Sequence, residues 1–184
     1  NPGAVPGVLN IWPQIDVGET PNVEDAMIAD LDGDGRADVV SCSEGDYQRI
    51  SAHFAPTKGD YTDSSSWETV EFSQSMTGKR RWMFSIALDV NEDGHLDLVV
   101  GGKDDDAKVA WLEAPASNKR DLSRWRYHEM TDAGWIMSLI AQDMDGHGRR
   151  WRSGYSPFRP STQQGRPRSS LVGKSRGWYI KKLP

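Results

Sequence analysis

The sequence predicts an all-β fold, and three features recurring in one phase predict it. An acidic loop repeats: Ala29-Asp30-Leu31-Asp32-Gly33-Asp34-Gly35-Arg36-Ala37-Asp38-Val39-Val40 aligns with Leu88-Asp89-Val90-Asn91-Glu92-Asp93-Gly94-His95-Leu96-Asp97-Leu98-Val99. A third copy begins at Gln142-Asp143-Met144-Asp145-Gly146, and the first Asp of each loop follows the last by 59 and then 54 residues. Trp12, Trp67, Trp125 and Trp178 keep the same beat, at spacings of 55, 58 and 53 residues. Runs ending in Ala-Pro close at Pro56 and Pro115, each 26 residues after the first Asp of its loop.

Each unit reads as four short strands. In the second copy these are Met83–Leu88, Leu96–Gly101, Lys108–Ala114 and Trp125–Met130. They are rich in Val, Ile, Trp and Phe and are separated by Gly, Asp, Asn and Pro. No window of 12 or more residues carries helical spacing. Four antiparallel strands per repeat of about 55 residues is the pattern of a β-propeller blade. The plainer alternative is an ordinary antiparallel sandwich, which requires no period.

The units follow in order. Residues 1–20 hold the last strand of a preceding blade, opened by Trp12. Residues 21–73 and 79–131 are full blades, and 134–184 is a degenerate one. Together residues 1–184 make a single, incomplete propeller. Closed propellers have ~4–8 blades, and an open one leaves sheet edges unpaired. The expectation is therefore a fragment of a longer chain, or a ring completed by blades of another chain.

Composition bounds the reading. A chain of 184 residues with 36% hydrophobic residues and 18 Gly suits one ordinary globular domain. No apolar run approaches the ~18 residues of a membrane span. Cys42 is the single cysteine, which excludes an intrachain disulfide and a cysteine-based metal cluster. The sequence opens at Asn1 with no Met and no basic-then-apolar run. That is expected of a mature product or a piece of a longer chain, so compartment is not read from a leader.

The loops place carboxylates at positions 1, 3, 5 and 9. In the first loop these are Asp30, Asp32, Asp34 and Asp38; in the second, Asp89, Asn91, Asp93 and Asp97. Odd spacing in a tight turn brings the side chains to one centre. Gly35 and Gly94 allow the turn, and the carbonyl at position 7 (Arg36, His95) completes the shell. An all-oxygen set suits Ca²⁺ rather than Zn²⁺. Without a cation, the crowded carboxylates repel and raise one another's pKa. The plain alternative is a pair of acidic hairpin turns with no ion. An EF-hand is excluded because position 12 is Ser41 or Val100 rather than Glu, and the flanks are strand-like. The third loop keeps Asp143 and Asp145 but has His147 and Trp151 at positions 5 and 9, so it is a weak site.

These residues resemble the FG-GAP/VCBS repeat family, the calcium-loop propeller blades related to those of integrin α-subunits. The likeness covers roughly residues 10–148. It extends to the runs Arg81-Trp82-Met83-Phe84, Trp111-Leu112-Glu113-Ala114-Pro115 and Gly134-Trp135-Ile136-Met137-Ser138-Leu139, which look like uncharacterised bacterial VCBS-repeat proteins. The resemblance implies an exported propeller (secreted, periplasmic or at the cell surface) whose loop Ca²⁺ ions brace each blade and whose face binds an extracellular protein or glycan. It implies no catalysis.

Residues 149–177 break every marker. Residues 149–184 hold ten Lys or Arg and no Asp or Glu, whereas the first 148 residues carry a net charge of -15. A basic tail contacting nucleic acid or anionic membrane and a solvated linker are two readings. A shifted reading frame explains more. With suitable codons, Leu171 to Arg176 read one base later gives Trp-Leu-Glu-Asn-Pro-Gly, an echo of Trp111-Leu112-Glu113-Ala114-Pro115. On that reading the basic patch has no function and no nucleic-acid partner is expected.

Enzyme signatures are missing. No His-Glu-x-x-His or Gly-x-Ser-x-Gly occurs, and Gly173-Lys174-Ser175 lacks the first Gly of a phosphate loop. His53 and His128 fall on predicted strands and Cys42 follows one, all structural positions. Trp82, behind Lys79-Arg80-Arg81, and Trp135 precede the first strands of their blades. There an exposed Trp beside Arg81 stacks on a sugar ring or meets an acidic partner, unless core packing claims it. The function expected is a non-catalytic calcium-binding module. The alternatives are the propeller portion of a secreted polysaccharide-active lyase or sugar dehydratase, and a purely structural calcium-braced repeat.

Overall fold

The structure, a computed structural model, describes residues 14–132, 134–143, 171–175 and 178–181. It is mostly β. The first four strands are β1 (Val23–Ala29), β2 (Asp38–Ser43), β3 (Ile50–Phe54) and β4 (Glu68–Glu71). After a one-turn helix α1 (Gln74–Thr77) come β5 (Arg81–Leu88), β6 (Asp97–Lys103), β7 (Lys108–Glu113) and β8 (Arg126–Asp132). Each set forms a four-stranded antiparallel sheet in sequence order, β1-β2-β3-β4 and β5-β6-β7-β8.

The two sheets are copies in detail. In both, the first strand pair slips register at one repeat position, between Val23 and Asp25 and between Trp82 and Phe84. In both, an Asp caps a short 3₁₀ turn: Asp63 accepts from the Ser65 amide and Asp121 from that of Ser123. The periodic Trp then closes that connection. Trp67 Nε1 donates to the Tyr61 carbonyl at 3.1 Å and Trp125 Nε1 to that of Lys119 at 2.8 Å. A six-residue link back to the chain explains why Trp, which offers bulk and one donor, marks the start of each fourth strand.

The sheets stack face to face. Alternation along β2 and β3 turns Val40, Cys42, Ile50, Ala52 and Phe54 to one side, where they meet Leu98, Val100, Ala110 and Leu112 of β6 and β7 in one buried core. Phe72 and Trp125 join it edge to face, their centroids 5.5 Å apart. The far side of the second sheet is also apolar: Val99 and Val109 pack with Ile136 and Leu139 from the segment after β8. The far side of the first sheet is not. There Ser41, Ser51 and His53 occupy the positions held by Val100, Ala110 and Leu112 one repeat later, and all three are buried.

The remaining strands are β9 (Ala141–Asp143), β10 (Leu171–Ser175) and β11 (Trp178–Lys181), in the order β10-β11-β9. The pairing of β10 with β11 repeats that of third and fourth strands. However, β9 lies against β11 instead of across a second strand, so this sheet departs from the consecutive order. Strand β10 also falls inside the stretch where no strand was expected before Trp178. Trp12, Asp145 and residues 144–170 lie outside the described residues. Among the described residues no helix is long and apolar enough to cross a membrane.

Candidate metal centre

Each acidic loop joins the first strand of its sheet to the second, from the end of β1 to β2 and from the end of β5 to β6. In the first loop, Asp30 Oδ1 accepts the amides of Gly33 (2.9 Å) and Asp34 (3.1 Å), and Oδ2 accepts that of Gly35 (2.9 Å). Asp32 Oδ1 takes the Asp34 amide at 3.0 Å and Asp34 Oδ1 that of Arg36 at 2.8 Å. Successive Asx turns of this kind coil the backbone around its own carboxylates. Gly33 and Gly35 sit at φ 81° and 87°, conformations that a β-carbon would strain. The second loop repeats the coil: Asp89 accepts the Asp93 and Gly94 amides, Asn91 that of Asp93, and Asp93 that of His95.

The ninth-position acids are different. Asp38 is buried, accepting the Leu31 amide on one oxygen and the Ala55 amide on the other, both at 2.9 Å. Asp97 does the same with Val90 (2.9 Å) and Ala114 (2.8 Å). One carboxylate thus pins the loop to the end of the third strand. The Ala-Pro marker now has a cause: Ala55 and Ala114 give the amide, and Pro56 and Pro115, which have none, end the strand.

In the first loop one ligand oxygen from each of Asp30, Asp32 and Asp38 falls within 4.8 Å of the others. Burial pushes the Asp38 carboxyl up to about 6; the neighbouring Asp32 charge adds to this, while the two amides and Arg120 oppose it. Burial likewise raises Asp97. Asp34 stands outside that trio. Its Oδ2 faces Arg120 Nη2 at 3.4 Å, and the Arg36 guanidinium lies 5.9 Å from the Tyr61 ring. The acids of the second loop, Asp89, Asp93 and Asp97, form no trio of that tightness, and Asn91 contributes an amide instead of a charge.

The oxygen-only donor set and the Asp38 carboxyl, buried without a full counter-charge, fit a hard divalent cation in the first loop. Asp143 ends β9, and Asp145 is outside the described residues.

The aromatic expectations divide. Trp82 is fully buried in the core between the sheets, its Nε1 without a hydrogen-bond partner. It is therefore not a surface platform, because it packs into the core shared by the two sheets. Trp135 is 46% exposed, with the Lys103 ammonium 5.2 Å from its ring. Arg81 pairs with Asp104 at 3.3 Å.

Sequence reasoning missed Arg120. It lies 88 residues from Asp32, yet its Nε meets Asp32 Oδ2 at 2.6 Å. Its position one repeat earlier is Thr62, so no periodic signal marked it. Comparison of the chain with family models, curated proteins and solved structures finds no match.

Proposed function

We propose that this chain is a non-catalytic, calcium-binding repeat module of the β-propeller type that serves in an exported protein as a frame for binding a protein or glycan. The observation that carries the reading is the convergence of Asp30, Asp32 and Asp38 in a glycine-bent loop whose coil recurs one repeat later. Two face-to-face sheets of identical strand order and matching register slips support the blade arrangement. So does the resemblance of the loops to calcium-loop repeats.

In this reading Asp30, Asp32 and Asp38, with Asp34 and the Arg36 carbonyl nearby, hold the first ion. Asp89, Asn91, Asp93 and Asp97, with the His95 carbonyl, hold the second. A bound Ca²⁺ neutralises the carboxylates that would otherwise repel at each strand junction. Oxygen sites of extracellular modules bind calcium at about 10⁻⁴–10⁻³ M, a level suited to an exported protein. Trp135 offers the exposed aromatic face for a sugar ring.

Isothermal titration of the chelator-treated protein with CaCl₂ tests the reading. Binding in that concentration range, weakened at least tenfold by Asp30→Asn, is expected. Absence of saturable binding up to 10 mM, about ten times the weak end of that range, contradicts it.

A further inference from the structure

We propose that Arg120 is a tethered counter-cation of the first acidic loop: it competes with the divalent ion there and makes that loop a weaker, sheet-coupled site than its own acids would build. The inference rests on the cation reading of the loop given above.

Arg120 comes from the connection between β7 and β8, in the second sheet, and reaches into the loop of the first. Its Nε donates to Asp32 Oδ2 at 2.6 Å and its Nη2 stands 3.4 Å from Asp34 Oδ2. The same Nη2 donates to the Ala55 carbonyl at 2.7 Å, and Nη1 lies 3.8 Å from Glu68. The guanidinium sits 5.1 Å from the centre of the Phe54 ring. Asp32 is 10% exposed and Arg120 25% exposed, so this pair is screened less than an ordinary surface bridge.

Asp32 Oδ2 is the only carboxylate oxygen of that residue not already holding the Asp34 amide. The ion and the guanidinium therefore compete for the charge of the same carboxylate. Arg120 has somewhere else to go, since Ala55 O and Glu68 hold it beside the loop when Asp32 is taken. In the second loop Arg124 and Arg126 line a cavity with Asp93 and Glu113, and among the described residues no arginine forms an ion pair with Asp89, Asp93 or Asp97. Asn91 Nδ2 turns instead to Asp93 Oδ2 (3.0 Å) and Glu113 Oε1 (3.5 Å). Where the first sheet has Phe54 and Glu68, the second has Glu113 and Arg126. The two loops thus share a backbone coil, and the first carries in addition the Arg120 pairs to Asp32 and Asp34.

The consequence is coupling. Whatever holds the sheets in register strengthens the Arg120 contact and opposes the ion, and the ion by the same factor loosens that contact.

The test uses the whole chain with Asp89→Asn and Asp93→Asn in the second loop, so that CaCl₂ titration reports the first loop alone. Adding Arg120→Gln removes the charge and keeps the length. The expected result is calcium bound roughly tenfold more tightly, together with a lower melting temperature in EDTA. Arg120→Lys, which keeps the charge and loses the fork, is expected to fall between. Unchanged or weaker calcium binding in Arg120→Gln, with the parent still binding, overturns the counter-cation role alone. It would mean that Arg120 buttresses Asp32 or is idle. Should Arg120→Gln not fold, Arg120→Lys decides: binding no tighter than the parent's overturns the proposal. No calcium binding in the wild-type chain overturns this inference and the proposed function together.

Discussion

Asp38 and Asp97 carry the loops in a way their place in a ligand pattern does not convey. Both oxygens of each are spent on backbone amides, one at the loop's start and one at the end of a strand 17 residues on. Replacing Asp97 by Asn turns one acceptor into a donor facing a buried N–H. The cost expected is about 1–3 kcal/mol, read as a lower urea midpoint at unchanged slope. His53 makes a second residue-scale case. Its Nε2 meets Ser41 Oγ at 2.9 Å and Thr20 Oγ1 at 3.1 Å, and Nδ1 meets Thr69 Oγ1 at 2.8 Å. Burial lowers its pKa below the ordinary 6.5, with the Asp16 charge opposing. The unfolded chain then takes up the proton first. The stability His53 allows is complete above pH 6.5 and is lost as pH falls towards the depressed folded value. Asp38, raised to about 6, works in the opposite sense, favouring the folded state as pH drops below 6. The His53 contribution is therefore the difference between wild type and His53→Gln. In urea melts in EDTA from pH 7.5 to 5.5, the wild type is expected to lose stability that the variant does not; parallel curves contradict this.

At the level of elements, the second sheet was nearly written in the sequence. The four strands expected from Met83, Leu96, Lys108 and Trp125 are found, with ends displaced by a residue or two. The displacement has causes: the register slip at Trp82 carries β5 back to Arg81, and Trp125 serves as the closing donor of a capped turn just ahead of β8. Period and turn chemistry are local, so they are legible. Arg120, the burial of Trp82 and the polar far side of the first sheet are products of packing between segments distant in sequence, and no spacing encodes them. The β10-β11-β9 order shows the limit from the other side, since a β4-like strand finds a different neighbour once the repeat pattern is broken. Gly101 in β6 is a packing glycine: a β-carbon there would lie 2.9 Å from Ile136 Cγ2 and 3.2 Å from Leu139 Cδ1. Gly101→Ala is expected to push the 134–140 segment off the sheet and cost about 1–3 kcal/mol. Quenching of Trp135 fluorescence by iodide should rise with it; an unchanged melting curve would show that the segment yields freely.

Across the described residues, an acidic loop caps one junction of each four-stranded sheet while an apolar core joins the two sheets. The design is uneven. The core is apolar and buried, whereas the first loop gathers four acids, two of which, Asp32 and Asp34, pair with one guanidinium from the neighbouring sheet. An ion bound only by the native fold stabilises it by mass action, by about 2.7 kcal/mol at a hundredfold excess over Kd. The most direct measurement is the thermal melt of the chain in EDTA and in 10 mM CaCl₂, a concentration about tenfold above the weak end of such sites. The account predicts a rise of several degrees with calcium, reduced by Asp30→Asn and by Asp89→Asn and abolished when both are present. Coincident melts with and without calcium in the wild-type chain would contradict it.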